Sequence, residues 1–151
     1  MTTPAIRQFS RQITEIMPVI VREFACREDN ALSRGTISCA QMVALDYLCE
    51  RPQARLTEIA RHLGVRTSSA SVLIDRLIRH GLMSRHSDLK DRRVTWIRVT
   101  ARGRRVYAQI IDQKRRSIAE VFAPLTDSER RTYLRILTKV KSSFAERAGE
   151  S

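Results

Sequence analysis

The stretch Leu56-Thr57-Glu58-Ile59-Ala60-Arg61-His62-Leu63-Gly64-Val65-Arg66-Thr67-Ser68-Ser69-Ala70-Ser71-Val72-Leu73-Ile74-Asp75-Arg76-Leu77-Ile78-Arg79-His80-Gly81 decides the fold of this 151-residue chain. Ile59, Ala60 and Leu63 fall on one face of a short helix near Leu56 to Leu63. Gly64 stops that helix, because glycine enters the left-handed conformation of a C-terminal cap without a Cβ clash. Within a few residues Thr67-Ser68-Ser69 opens a second helix. Its buried stripe is Ala70, Leu73, Ile74, Leu77 and Ile78, and Gly81 is its cap. Two short helices joined by a tight glycine-containing turn make a helix-turn-helix. On the second helix Ser69, Ser71, Val72, Asp75, Arg76 and Arg79 face away from the core.

The neighbouring segments extend this unit. Leu82 to Ser87 suits a strand, Asp88-Leu89-Lys90-Asp91 has the composition of a turn, and Val94 to Val99 is a β-branched and aromatic returning strand. Upstream, Ser38-Cys39-Ala40-Gln41 reads as a capping box. The helix that follows carries Met42, Leu45 and Leu48 on one face and ends before Pro52. The result is a winged helix-turn-helix, mainly α with a small β-hairpin wing, spanning residues 37–100.

The ends of the chain are long amphipathic helices. Ile6, Phe9, Ile13, Ile16, Ile20 and Phe24 form one stripe, interrupted by Pro18, which should kink the helix. A polar loop around Asn30 to Gly35 follows. Thr100 can cap a helix bearing Val106, Ile110, Ile111, Ile118, Val121 and Phe122, which ends at Pro124. Thr126-Asp127-Ser128-Glu129 is a second capping box, opening a helix with Tyr133, Leu134, Leu137, Val140 and Phe144. A small wing domain cannot cover stripes of this length. Residues 1–36 and 101–151 are therefore expected to form a dimerisation lobe, packed against the same helices of a second chain. A two-fold dimer also supplies two half-site readers.

Charge points to the partner. The chain has 28 basic and 16 acidic residues, and 24 of the basic ones are arginine. Between Arg55 and Arg105 stand 13 basic residues against four acidic ones, so one third of the chain carries nine of the twelve net positive charges. A solvated face ordinarily mixes signs, and this one does not. Guanidinium is a planar fork suited to phosphate and base edges, so double-stranded DNA is the expected partner. A composition of 42% hydrophobic and 29% charged residues belongs to a folded soluble domain. No apolar run approaches a membrane span. The N-terminus lacks the basic and apolar regions of a secretory signal, so a cytoplasmic location is expected.

Other chemistry finds little support in the residues. No glycine-rich phosphate loop, HExxH, GxSxG or paired carboxylates appear, so no catalytic residues and no cofactor are expected, and the chain does not read as an enzyme. His62, His80 and His86 have no carboxylate or cysteine at ligand spacing, so no metal is expected. Cys26, Cys39 and Cys49 contain no CxxC pair. Cys39 and Cys49 read as small fillers, and Cys26 has Arg27 beside it but Glu28 and Asp29 opposing. Trp96 is the one aromatic residue of the hairpin, which disfavours an RNA-reading sheet.

The run Leu73-Ile74-Asp75-Arg76-Leu77, Gly81-Leu82, Arg85, Asp91-Arg92-Arg93, Val99-Thr100 and Gly103, in this order and spacing, resembles the MarR family of transcriptional regulators. The likeness extends over nearly the whole chain. It implies a triangular homodimer whose second helix, near Thr67 to Arg79, lies in the major groove while the hairpin reaches the adjacent minor groove. It also implies a regulator, most often a repressor, acting on an inverted-repeat operator. Many members are released by small phenolic or other aromatic ligands, or by thiol oxidation. A thiol-sensing regulator and an effector-independent architectural protein are the alternatives. Two features depart from the family pattern. One is Pro18. The other is the pair Arg55 and Arg66 in the slots where a capping Ser or Thr is usual, with Thr57 and Thr67 able to serve one step later.

The expected DNA-contact residues are Arg66, Thr67, Ser68, Ser69, Ser71, Val72, Arg76, Arg85, Lys90, Asp91, Arg92 and Arg93. The serines can bond phosphates or base edges, Val72 suits a thymine methyl, and Arg76 suits a phosphate. At the hairpin tip the resemblance favours Asp91 aiming the Arg93 guanidinium into the minor groove, over an ordinary surface ion pair. An effector pocket between the lobes would be lined by Ile16, Ile20, Phe24 and Met42.

Overall fold

The computed structural model describes residues 3–27, 34, 36–91 and 93–149. The elements run α1 (Pro4–Arg27), α2 (Cys39–Cys49), α3 (Leu56–Leu63), α4 (Thr67–Arg79), β1 (Met83–Ser87), β2 (Thr95–Val99), α5 (Ala101–Val121) and α6 (Asp127–Gly149). The polar loop expected around Asn30 to Gly35 lies outside the described residues, apart from Arg34.

Local chemistry sets the boundaries. Ser38 caps α2 as expected: its hydroxyl accepts the Gln41 N–H at 3.2 Å, and its own N–H donates to the Gln41 side chain at 2.8 Å. Gly64 closes α3 at φ +65°, with Val65 N–H donating back to Ala60 O. Gly81 does the same for α4 at φ +70°: its N–H reaches Ile78 O, and Leu82 N–H reaches Leu77 O. This paired closure satisfies the last carbonyls of the helix. It also occupies Leu82, so β1 begins at Met83 rather than at Leu82. Thr100 caps α5 by accepting Gly103 N–H at 3.0 Å, and its hydroxyl donates to Gly81 O at 2.7 Å. Thr126 and Glu129 form the second box, opening α6.

One expectation changes. The slots before α3 and α4 are filled by Arg55 and Arg66 themselves, not by Thr57 and Thr67. Arginine offers no acceptor, so neither side chain caps its helix. Glu58 still reaches back to the Arg55 N–H at 2.6 Å. Pro18 lies inside α1, and the helix is continuous on both sides of it.

β1 and β2 pair antiparallel, with Met83 opposite Val99 and Ser87 opposite Thr95. Ala54, in the α2–α3 connection, adds a bridge to Ile97 through two main-chain hydrogen bonds. Ile37, Leu45, Leu48, Ile59, Ile74, Leu77, Met83, Ile97 and Ile110 form the centre of the core, each under 2% exposed. α5 enters this core through Ile110 and packs along α1. Among the described residues, none of the buried core comes from α1 or α6. Those helices show Ile6, Phe9, Ile16, Leu134, Ile136, Leu137 and Phe144 to the outside.

Candidate nucleic-acid interface

The first turn of α4 presents Thr67, Ser68 and Ser69, all exposed, beside exposed Arg66. With no side-chain cap, the first N–H groups of α4 stay open to an anion, and the helix dipole favours one there. One turn on, Val72 is 65% exposed despite being apolar, and Arg76 is exposed on the same outward face. The arrangement offers hydroxyls, an apolar contact and a guanidinium along one helix edge. These are the groups that read a major groove.

The hairpin is braced to that helix. Asp75 Oδ1 accepts Arg85 Nη2 at 2.8 Å, across from α4 to β1. Its other oxygen accepts the Ser71 hydroxyl at 3.5 Å. Arg85 and Ser71 are thus engaged within the protein, whereas Arg66, Arg76, Lys90 and Arg93 make no ion pair among the described residues. Arg98 is held on the far side of the hairpin, donating Nε and Nη2 to Gln53 Oε1 at 2.9 and 2.6 Å. The Asp75–Arg85 link joins residues ten apart on different elements, and no local pattern announces it.

Asp88 organises the hairpin tip. One carboxylate oxygen accepts the N–H groups of Lys90 and Asp91 at 2.8 and 3.1 Å, and the other accepts the Trp96 indole N–H at 2.7 Å. The Trp96 bond first, and then the two main-chain bonds, hold this carboxyl below the usual carboxylate range. The tip geometry is therefore complete at neutral pH, and its support is lost only as pH falls through that lowered value. Arg55 lies over the Trp96 ring at 5.2 Å.

Asp91 and Arg93 meet differently from the expected pairing. Asp91 Oδ1 accepts the main-chain N–H of Arg93 at 3.0 Å, and Asp91 O accepts Val94 N–H. The carboxylate shapes the turn that carries Arg93, and no ion pair joins it to the guanidinium. Arg92 lies outside the described residues. This geometry separates two variants. Asp91→Asn keeps the acceptor and removes a negative charge, so DNA binding measured by fluorescence anisotropy should hold or tighten. Asp91→Ala loses the acceptor and should weaken binding severalfold despite the same gain in net charge. Equal tightening by both would mean that Asp91 acts only by charge.

The expected effector residues are not brought together. Met42, only 8% exposed, packs in the winged-helix core because it lies on the same face of α2 as Leu45. Ile16 stays exposed and Ile20 half-buried on α1. Phe24 alone of the four reaches a groove, one of about 490 Å³ between α1, α5 and α6. Its other lining residues are Lys114, Ile118, Phe122, Arg130, Tyr133, Leu134 and Leu137. Phe122 lies 6.2 Å from Phe24 and 5.1 Å from Tyr133, ring centre to ring centre. Arg130 is engaged with Phe122 O, Leu125 O and Asp127, whereas Lys114 has no ion-pair partner among the described residues. These lining residues recur every three or four positions on α5 and α6. Their stripes were visible in the sequence, but the way they face one another was not.

Cys39 is exposed at the start of α2. Cys49 is half-buried, and burial pushes its thiol up, against the opposing pull of Arg104. The Cys26 side chain lies outside the described residues. Tyr107 on α5 donates to Asp46 on α2, and that bond, with burial behind it, pushes the phenol up to about 12. His62 stacks on Tyr47 at 4.2 Å, and His86 bonds the Ser84 hydroxyl. Among the described residues no three His, Cys, Asp or Glu come together to hold a metal ion. No helix among them is long and apolar enough to cross a membrane.

Comparison with known proteins agrees with this geometry. The MarR family model matches residues 37–95, the segment that holds α2, the two helices of the helix-turn-helix, β1 and the hairpin tip. The HTH-type transcriptional repressor Rv2887 of Mycobacterium tuberculosis is 29% identical over 112 residues, covering 74% of this chain and 81% of the repressor. Among solved structures, the YusO protein from Bacillus subtilis superposes with a TM-score of 0.76 at 21% identity, over 91% of this chain and 95% of that one. The PcaV transcriptional regulator from Streptomyces coelicolor, solved in complex with its natural ligand, gives 0.59 at 20% identity, over 93% of each chain. The structural likenesses show the fold, and the family model falls on the segment that carries the candidate interface. Over residues 37–95 the chain is similar to the MarR family of transcriptional regulators, and its fold is shared with those solved structures.

Proposed function

We propose that the protein is a homodimeric repressor that reads an inverted-repeat operator through α4 and the hairpin. In this reading residues 37–100 are the reader, and residues 1–36 with 101–151 are the dimerisation lobe. The protein works on the chromosome, in the cytoplasm. The observation that carries the dimer is the outward apolar stripe of α1 and α6, from Ile6 and Phe9 to Leu137 and Phe144, which no part of the described chain covers. Monomeric proteins rarely leave so much contiguous apolar surface in water. The repressor Rv2887 among the relatives supports the sign of regulation. The contact residues proposed are those of α4 and the tip: Arg66, Thr67, Ser68, Ser69, Val72, Arg76, Lys90 and Arg93, with Ser71, Arg85 and Asp91 placing them.

A small aromatic acid is the proposed effector, in the groove of Phe24, Phe122 and Tyr133, with Lys114 as carboxylate partner. The ligand-bound PcaV structure supports ligand control of this fold. Such a ligand acts only if it binds one separation of the two readers better than the other. The thiol-sensing alternative gains no support at Cys49, whose raised pKa lowers the thiolate fraction.

Light scattering at micromolar concentration should give twice the chain mass. Footprinting of a duplex selected in vitro should protect two half-sites about one helical turn apart. A monomer that binds such a palindrome tightly would overturn the dimer. If benzoate- and salicylate-type acids neither raise Tm nor weaken DNA binding, the effector class is wrong.

A further inference from the structure

We infer that Leu89, at the tip of the hairpin, is an apolar wedge that enters the minor groove and unstacks a base step. The inference rests on the DNA-reading role of α4 and the hairpin. Leu89 is 102% exposed, the most exposed large hydrophobic residue described. The next, Val72 at 65%, already lies on the groove-facing edge of α4. Leu134 and Phe144 belong to an apolar stripe that a second copy can cover, whereas Leu89 belongs to no stripe. It stands between Asp88 and Lys90, close to Asp91 and Arg93, in a setting no apolar protein partner would favour.

The presentation is rigid. Asp88, just before Leu89, accepts the N–H groups of Lys90 and Asp91, just after it, and is itself anchored by the Trp96 indole. Asp88 N–H donates in turn to Val94 O across the hairpin. The backbone is therefore held on both sides while the isobutyl group projects into solvent. A single exposed leucine on a protein surface is unremarkable in itself. A leucine held out on a braced tip among charged residues is a different arrangement.

Reach places it over the neighbouring groove. Arg85 is tied to α4 through Asp75 at 2.8 Å. Leu89 comes four residues later, two beyond the end of β1, at most about 13 Å away along the chain. The major groove is about 12 Å wide, so a hairpin that leaves α4 within it clears the phosphate ridge at its tip. Lys90 and Arg93 then meet the phosphates and the groove's negative potential, and Leu89 meets the edge of the base stack. Apolar side chains inserted there partly unstack a step and kink the duplex. Pyrimidine–purine steps yield most readily, so bound sites should carry TA or CA where the tips land.

The test uses the full-length dimer and a duplex selected in vitro by the wild-type protein. The duplex carries a donor–acceptor pair at its ends and 2-aminopurine at the steps flanking the half-sites. Wild-type protein should raise end-to-end energy transfer and brighten 2-aminopurine at one step per flank. Leu89→Ala should lose both signals and bind about tenfold more weakly. Its salt dependence should be unchanged, because no charge is removed. Leu89→Met, long and apolar, should keep both signals. Wild-type signals retained by Leu89→Ala would overturn the wedge. So would weaker binding with no change in either signal, which would mark a leucine that only packs on sugar. A wild-type protein that retains no duplex from the pool would overturn the DNA-reading role itself, and the wedge with it.

Discussion

Affinity for a cognate duplex should fall about ten-thousandfold as monovalent salt rises from about 50 to about 200 mM. Four of the proposed contact cations per protomer, Arg66, Arg76, Lys90 and Arg93, are exposed and have no ion-pair partner among the described residues. Arg85 is excluded, because Asp75 already neutralises it. Two protomers then neutralise about eight phosphates, and counterion release gives a log–log slope of roughly −7. Equilibrium titrations by anisotropy across a salt series measure the slope directly. Arg76→Ala should flatten it by about two, one phosphate in each half-site. A slope near zero in the wild type would rule out a phosphate-dominated interface.

Gly103→Ala should destabilise the fold by about 3 kcal/mol, at the upper end for overpacking, and lower Tm by about 10 °C. Gly103 is buried in the first turn of α5, and an added Cβ would stand 2.1 Å from Leu82 O and 2.8 Å from Val99 Cγ1. Both neighbours are fixed. Leu82 O accepts the Thr100 N–H at 3.0 Å, and Val99 is paired with Met83. Nothing flexible can yield, so the helix must move off the strands. Gly64→Ala provides the contrast. Nothing lies within 4 Å of its added Cβ, and only the positive φ opposes the change. That variant should lose about 1 kcal/mol. Calorimetry of the two would separate crowding from backbone strain, and equal losses would refute the crowding argument.

The helix-turn-helix was legible because its signals are local. Gly64 and Gly81 each close a helix within a few residues, and Ser38 and Thr126 open helices with partners three positions on. The one boundary error in β1 has the same origin. Leu82 is apolar and sits between helix and strand, and its N–H goes to the helix. The Ala54 bridge to Ile97 was invisible, since a single paired residue has no period. The outward face of α4 could be read from the sequence, but the bracing of that face could not. Asp75–Arg85, Asp88–Trp96 and Arg98–Gln53 join residues between eight and 45 positions apart. Met42 illustrates the limit most clearly. A helical stripe tells which face is buried, but not which neighbour buries it. Met42 could serve a pocket or a core equally well until the packing of α2 placed it in the core.

α5 has a mechanical consequence. It is a single helix of 21 residues, about 30 Å long, rooted at one end and extending to the aromatic groove at the other. Gly103, wedged under Leu82 and Val99, fixes the root to the wing, and Tyr107 clamps the next turn to α2 through Asp46. A rod held in this way behaves as a lever whose fulcrum lies beside the hairpin. A tilt of about 5° moves its far end by about 2.6 Å over that length. The gearing also runs in reverse: a displacement of that size imposed at Phe122 swings the reading head through the same angle, with no deformation in between.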